Sequence, residues 1–167
     1  MKTETSPKYR PAKFWPALGF ATLAGMRSMS APALLTHHLS NKPSWFLLNS
    51  PLQVLQKPWV ATGLKLVAAG EMVADKMPGM PDRTAPPVLL GRLLSGALVG
   101  AAWYKSRAGS ALAGGLVGGL GAVAATFLSL ALRKEISAQS GADMAAVGVG
   151  EDAVVLGGGA ALLKAVG

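Results

Sequence analysis

The chain has 167 residues, 51% of them hydrophobic and only 14% charged, with a mean hydropathy of +0.40, far from the roughly 25% charge of ordinary soluble domains. It has no cysteine, which removes disulfides, thiolate metal sites and thiol nucleophiles. The net charge of +8 would suggest nucleic acid in a soluble protein. Here the basic residues are scattered among loops and the ends of apolar runs, so membrane lipids are the expected partner and nucleic acid is not.

Residues 1–13 carry Lys2, Lys8, Arg10 and Lys13 and read as a cytoplasmic tail ahead of a single transmembrane domain, 14–167. The tail and the apolar run after it resemble a signal peptide. Arg27 and Pro32 interrupt that run where an h-region should continue, so a retained first helix is expected. Cutting the apolar runs at charges, prolines and turn residues gives about five spans: 14–38, 58–76, 87–104, 109–132 and 144–164. The chain is thus read as all-α, a polytopic transmembrane helix bundle.

Within the first span, GMRSMSAP supplies Gly25, Ser28, Ser30 and Pro32, a composition that favours a break or kink because proline deletes a backbone hydrogen bond. His37 and His38 fall at its outer end, with no acidic or Cys spacing to complete a metal site. The segment from Ser40 to Trp59, with Pro43, Pro51, Pro58, Trp45 and Trp59, reads as interfacial. The second span contains Lys65, Glu71 and Asp75 and should insert only with partners, since a charge near mid-bilayer costs roughly 2.5–3.5 kcal/mol. KMPGMPDRTAPP, which follows it, cannot continue a helix.

The fourth span is the clearest, because Ala108 to Leu132 is uncharged between Arg107 and Arg133. Gly114, Gly118 and Ala122 are spaced by four on one face, with Gly115 and Gly119 beside them. Gly96 and Gly100 in the third span and Gly157, Gly158 and Gly159 in the fifth add to this pattern. Such spacing lets helix backbones approach closely inside a bundle or a homo-oligomer. GEMVAD at 70–75 and GEDAVV at 150–155 form a faint echo, either an inverted two-helix repeat or chance similarity in Gly/Ala-rich sequence.

With five crossings and the N-terminus inside, the cytoplasmic ends collect Lys2, Lys8, Arg10, Lys13, Lys76, Arg83, Arg133 and Lys134. The other side collects Lys42, Lys57, Lys105, Arg107 and Lys164. That excess puts the N-terminus in the cytoplasm and the C-terminus outside.

The intramembrane polar residues Arg27, Glu71, Asp75, Arg92, Glu151 and Asp152 form the candidate solute- or ion-binding site, concentrated toward the cytoplasmic half. Glu71 and Asp75 share a helix face, while Glu151 and Asp152 point in different directions, one inward and the other to a loop or head group. Arg27 and Glu71 each lie about thirteen residues into their spans, so they are expected at one depth, as a pair. Two literal GxGxxG matches follow no strand and carry nothing. No Ser-His-Asp order, HExxH or Walker pattern appears, so no enzyme activity or cofactor is read from the sequence.

The segments GMRSMSAPALL, EMVADKMPGMPDRTAPPVLLGRLLSGALVGAA and GVGEDAVV resemble those of a bacterial membrane family, domain of unknown function 4126. The resemblance implies a small polytopic inner-membrane protein in which Arg27, Glu71, Asp75, Lys76, Pro78, Arg92, Glu151 and Asp152 match recurring polar positions. The long glycine tract and the Met-rich first motif depart from that pattern. Two functions are open: binding or transport of a small polar solute, proton or ion through the charged cluster, or a non-transporting scaffold or lipid-associated accessory role in which the charges only hold helices together.

Overall fold

A computed structural model describes residues 13–74, 85–141 and 144–166. Six α-helices follow one another: α1 (Phe14–Met26), α2 (Ser30–Asn41), α3 (Pro58–Ala74), α4 (Pro86–Lys105), α5 (Ala111–Ser140) and α6 (Met144–Val166). Short 3₁₀ turns at Trp45–Leu47 and Pro51–Gln56 connect α2 to α3. Local sequence sets these boundaries. Pro58, Pro86 and Pro87 open their helices, where a missing N–H costs nothing. Ser110 caps α5 by accepting from the Ala113 N–H, and Gly141 closes it at φ 67°.

Among the described residues, three helices are long and apolar enough to cross a membrane: α4, α5 and all but the start of α6. Their outer faces are rich in exposed leucine and valine, including Leu90, Leu94, Leu112, Leu116, Leu120, Val154 and Leu156, as lipid-facing surfaces require. The expectation of a helical membrane bundle is met.

The first expected span, 14–38, does not cross. It is a helical hairpin that enters and returns at one end of the bundle. The Trp103 Nε1–H near the end of α4 donates to the Lys13 carbonyl at the start of α1 (3.1 Å). The His38 ring, late in α2, lies 6.0 Å from the same Trp103 ring. Ser44 just after α2 donates through Oγ to the Ser106 carbonyl (2.5 Å), and Arg107 Nη2 donates to Val166 O at the end of α6 (3.2 Å). The start of α1 and the ends of α2, α4 and α6 therefore share one end, here called proximal, and the opposite end is distal. The physical reason is length. The 13 residues of α1 rise about 20 Å at 1.5 Å per residue, short of a hydrocarbon core of about 30 Å.

Glycine spacing acts as expected between α4 and α5, which form the most extensive helix pair. A Cβ on Gly96, Gly100, Gly114 or Gly118 would meet the partner helix's backbone carbonyl, so only glycine permits this approach. Gly25 meets α5 in the same way, against the Ala122 carbonyl and the Ala125 methyl. Gly157 and Gly158, by contrast, face open space. α5 is continuous where the first unit is broken between α1 and α2, so the inverted-repeat reading finds no matching break in the second unit.

Behind the hairpin the core is apolar: Phe20, Leu35, Leu39, Val99 and Trp103 are buried, with the Phe20 and Trp103 rings 5.4 Å apart. This layer fills the proximal half. Among the described residues, the buried charged side chains Arg27, Arg92 and Asp152 gather beyond it, at the hairpin tip.

Candidate functional site

The tip consists of Arg27, Ser28 and Met29, between the last residue of α1 and the first of α2. In an unbroken helix the Met29 N–H would bond to Gly25 O, and Pro32 could offer nothing to Ser28 O. The break therefore leaves buried donors and acceptors that water cannot reach, and each needs a partner.

Side chains from three other helices supply those partners. The Glu71 carboxylate, on α3, accepts from the Ser28 N–H (2.8 Å) and the Met29 N–H (2.7 Å). Arg92, on α4, donates from Nη1 to Gly25 O (2.7 Å). Thr126, on α5, also donates to Gly25 O (3.0 Å), and the Ser95 hydroxyl, on α4, donates to Ser28 O. The signs match the helix dipoles, with a carboxylate at the N-terminus of α2 and a guanidinium at the C-terminus of α1.

Arg27 itself, 1% exposed, reaches α6, where its Nη2 lies 2.7 Å from Asp152 Oδ1. The expected Arg27–Glu71 pair is thus corrected. The two residues do meet at one depth, but Glu71 engages the backbone following Arg27, and the guanidinium pairs with Asp152. Glu151 pairs with Arg133 of α5, so the second acid of that couple faces a neighbouring helix rather than a loop or head group. Arg27, Glu71, Arg92 and Asp152 converge on the tip, and Glu151 lies next to it. Asp75, Lys76 and Pro78 lie outside the described residues.

The cluster sits about 20 Å from the proximal end, past the middle of a core of about 30 Å. Ser95, Thr126 and Arg133 were not among the candidates. The first two had a signal: Ser95 stands three residues after Arg92, on the same helical face, and Thr126 continues the spacing of four from Gly114 through Gly118 and Ala122. Arg133 was read only as a flanking charge.

A hairpin that enters a helical bundle and has its tip capped by charged side chains defines a polytopic membrane protein with a re-entrant element. A family model described as domain of unknown function (DUF4126) matches residues 15–165, nearly the whole chain, and the protein belongs to that family. No curated protein and no solved structure matches it.

Proposed function

We propose that this protein binds and translocates a small polar solute or ion across the bacterial inner membrane, with the re-entrant tip as its intramembrane site. The observation that carries the reading is that two helix ends, Gly25–Arg27 and Ser28–Ser30, lie deep in the bundle among Glu71, Arg92 and Asp152. Buried helix ends and ionisable groups at membrane depth are how many transporters build binding sites.

In this reading the proximal end faces the cytoplasm. Among the described residues it carries Lys13, Lys42, Lys57, Lys105, Arg107 and Lys164, and the positive-inside bias favours that orientation. The start of α1 and the end of α6 are then both cytoplasmic, unlike the arrangement expected from five crossings.

The test is ion flux in proteoliposomes loaded with a pH-sensitive dye, under an imposed proton or potassium gradient. Transport predicts flux above that of empty vesicles, and its loss in Asp152→Asn and Glu71→Gln protein that still elutes as folded material. A second reading, a scaffold, is favoured by the fact that both Glu71 oxygens are occupied by backbone N–H groups. It predicts loss of the folded form in those variants and no flux in the parent.

A further inference from the structure

Lys65 is anomalous. It lies on the exposed face of α3, seven residues past Pro58, among the exposed residues Thr62, Leu66, Val67 and Ala69, and so about 10 Å along the helix from its start. A lysine there would ordinarily snorkel freely toward the head groups. Instead its Nζ is tied to α2, donating to His37 Nδ1 at 3.0 Å. Asn41 Nδ2 lies 3.2 Å from the same nitrogen and donates to His37 O (2.8 Å). With Nδ1 accepting, the imidazole proton is on Nε2, available to an incoming acceptor.

Among the described residues, no carboxylate stands beside Lys65 and His37 to complete the arrangement. The described acidic residues are Glu71, Glu135, Glu151 and Asp152, three at or beside the tip and Glu135 further on. At the proximal end stand Lys13, Lys42, Lys57, Lys105, Arg107 and Lys164, together with Lys65 a little deeper. Exposed aromatic residues at that end, Trp15, Trp45 and Trp59, set the level of the membrane interface. A fixed ammonium below that level, facing lipid, needs an anion from the lipid side.

We propose that the surface where α2 and α3 meet, at Lys65, His37 and Asn41, binds the phosphate of an anionic phospholipid. Lys65 supplies the charge, His37 Nε2–H a second donor, and Asn41 fixes the imidazole. The site is separate from the tip and does not depend on the transport reading.

The experiment uses the full chain in nanodiscs of phosphatidylcholine with and without phosphatidylglycerol, reading lipid retained per protein by native mass spectrometry after gentle delipidation. Parent protein is expected to retain phosphatidylglycerol over phosphatidylcholine by about fivefold or more, the scale of one charge contact at a membrane surface. Lys65→Gln and His37→Gln bring the ratio toward one, Lys65→Arg keeps it, and Lys134→Gln, at the distal end, leaves it unchanged. Each variant is first checked for the parent's elution and helicity, and if Lys65→Gln fails that check, His37→Gln and Lys65→Arg decide. Equal retention of the two lipids by the parent overturns the proposal. So does a preference that survives both substitutions, which would be a property of the whole basic end. Displacement of phosphatidylglycerol by millimolar inorganic phosphate also overturns it, since the ligand would then be the free anion.

Discussion

Glu71→Gln tests the accounting at the hairpin tip. The carboxylate accepts two short backbone hydrogen bonds, 2.8 Å from Ser28 and 2.7 Å from Met29, each worth about 1.5–3 kcal/mol when the acceptor is charged. Glutamine keeps one carbonyl oxygen, so one bond survives in neutral form at about 0.5–1.5 kcal/mol, while the amide NH2 faces the other N–H and bonds nothing. The net loss is about 2–4 kcal/mol, because the N–H left unpaired cannot turn to water. In purified protein this lowers the thermal midpoint by on the order of 10 °C. Local opening of the tip should accelerate amide exchange at Ser28 and Met29 by roughly 30- to 1000-fold, at about tenfold per 1.4 kcal/mol. A variant with an unchanged midpoint and unchanged exchange at those two amides would refute the capping role of Glu71.

Asp152→Asn leaves the buried Arg27 guanidinium without its 2.7 Å carboxylate partner. It should cost about 3–5 kcal/mol in thermal or denaturant unfolding, with part recovered in the double variant Arg27→Met, Asp152→Leu. Gly118→Ala places a methyl against the Gly96 carbonyl and should destabilise by about 1–3 kcal/mol as α4 and α5 are pushed apart. Gly63→Ala, in open space on α3, should stabilise by about 0.5–1 kcal/mol through helix propensity; equal midpoints for these two variants would refute the close-packing argument. Because the chain lacks cysteine, single-cysteine labelling with an impermeant maleimide is clean. Lys13→Cys and Lys42→Cys should react from the same side, opposite to Lys134→Cys, whereas a first helix that crossed would separate the first two.

The bundle class, the glycine-lined helix pair and the break at GMRSMSAP were legible because each rests on a local pattern: apolar length, spacing of four, and proline after a polar residue. The hairpin was not. A hydropathy window sums over α1 and α2 and finds one run of spanning length, since nothing in composition records whether the chain after a break continues or reverses. Arg27 and Glu71 do share a depth, as helical rise predicts. Rise says nothing of rotation about the helix axis, and rotation hands the Arg27 guanidinium to Asp152. The reversal of one hairpin also puts Lys13 at the same end as Lys42, Lys105 and Lys164, where five crossings would have placed them on opposite sides.

The hairpin divides the protein unequally, and this bears on how a solute would pass. Over about 20 Å from the proximal end the interior is the apolar layer of Phe20, Leu35, Leu39, Val99 and Trp103, all buried. Among the described residues, the buried charged groups Arg27, Arg92 and Asp152 begin at the tip, leaving about 10 Å of a 30 Å core on the distal side. A hydrated ion would lose its shell over the apolar layer with no described charged side chain to replace it, whereas the distal approach meets Arg133 and Glu151 and then Arg27 and Asp152. If transport occurs, the tip is loaded from the distal side, and passage onward requires the hairpin to move against α4 and α5. That motion must break the Arg92 and Thr126 bonds to Gly25 O and slide Gly25 off the Ala122 carbonyl. Gly25→Ala wedges this contact, so under the transport reading its effect on flux should exceed its effect on the amount of folded protein.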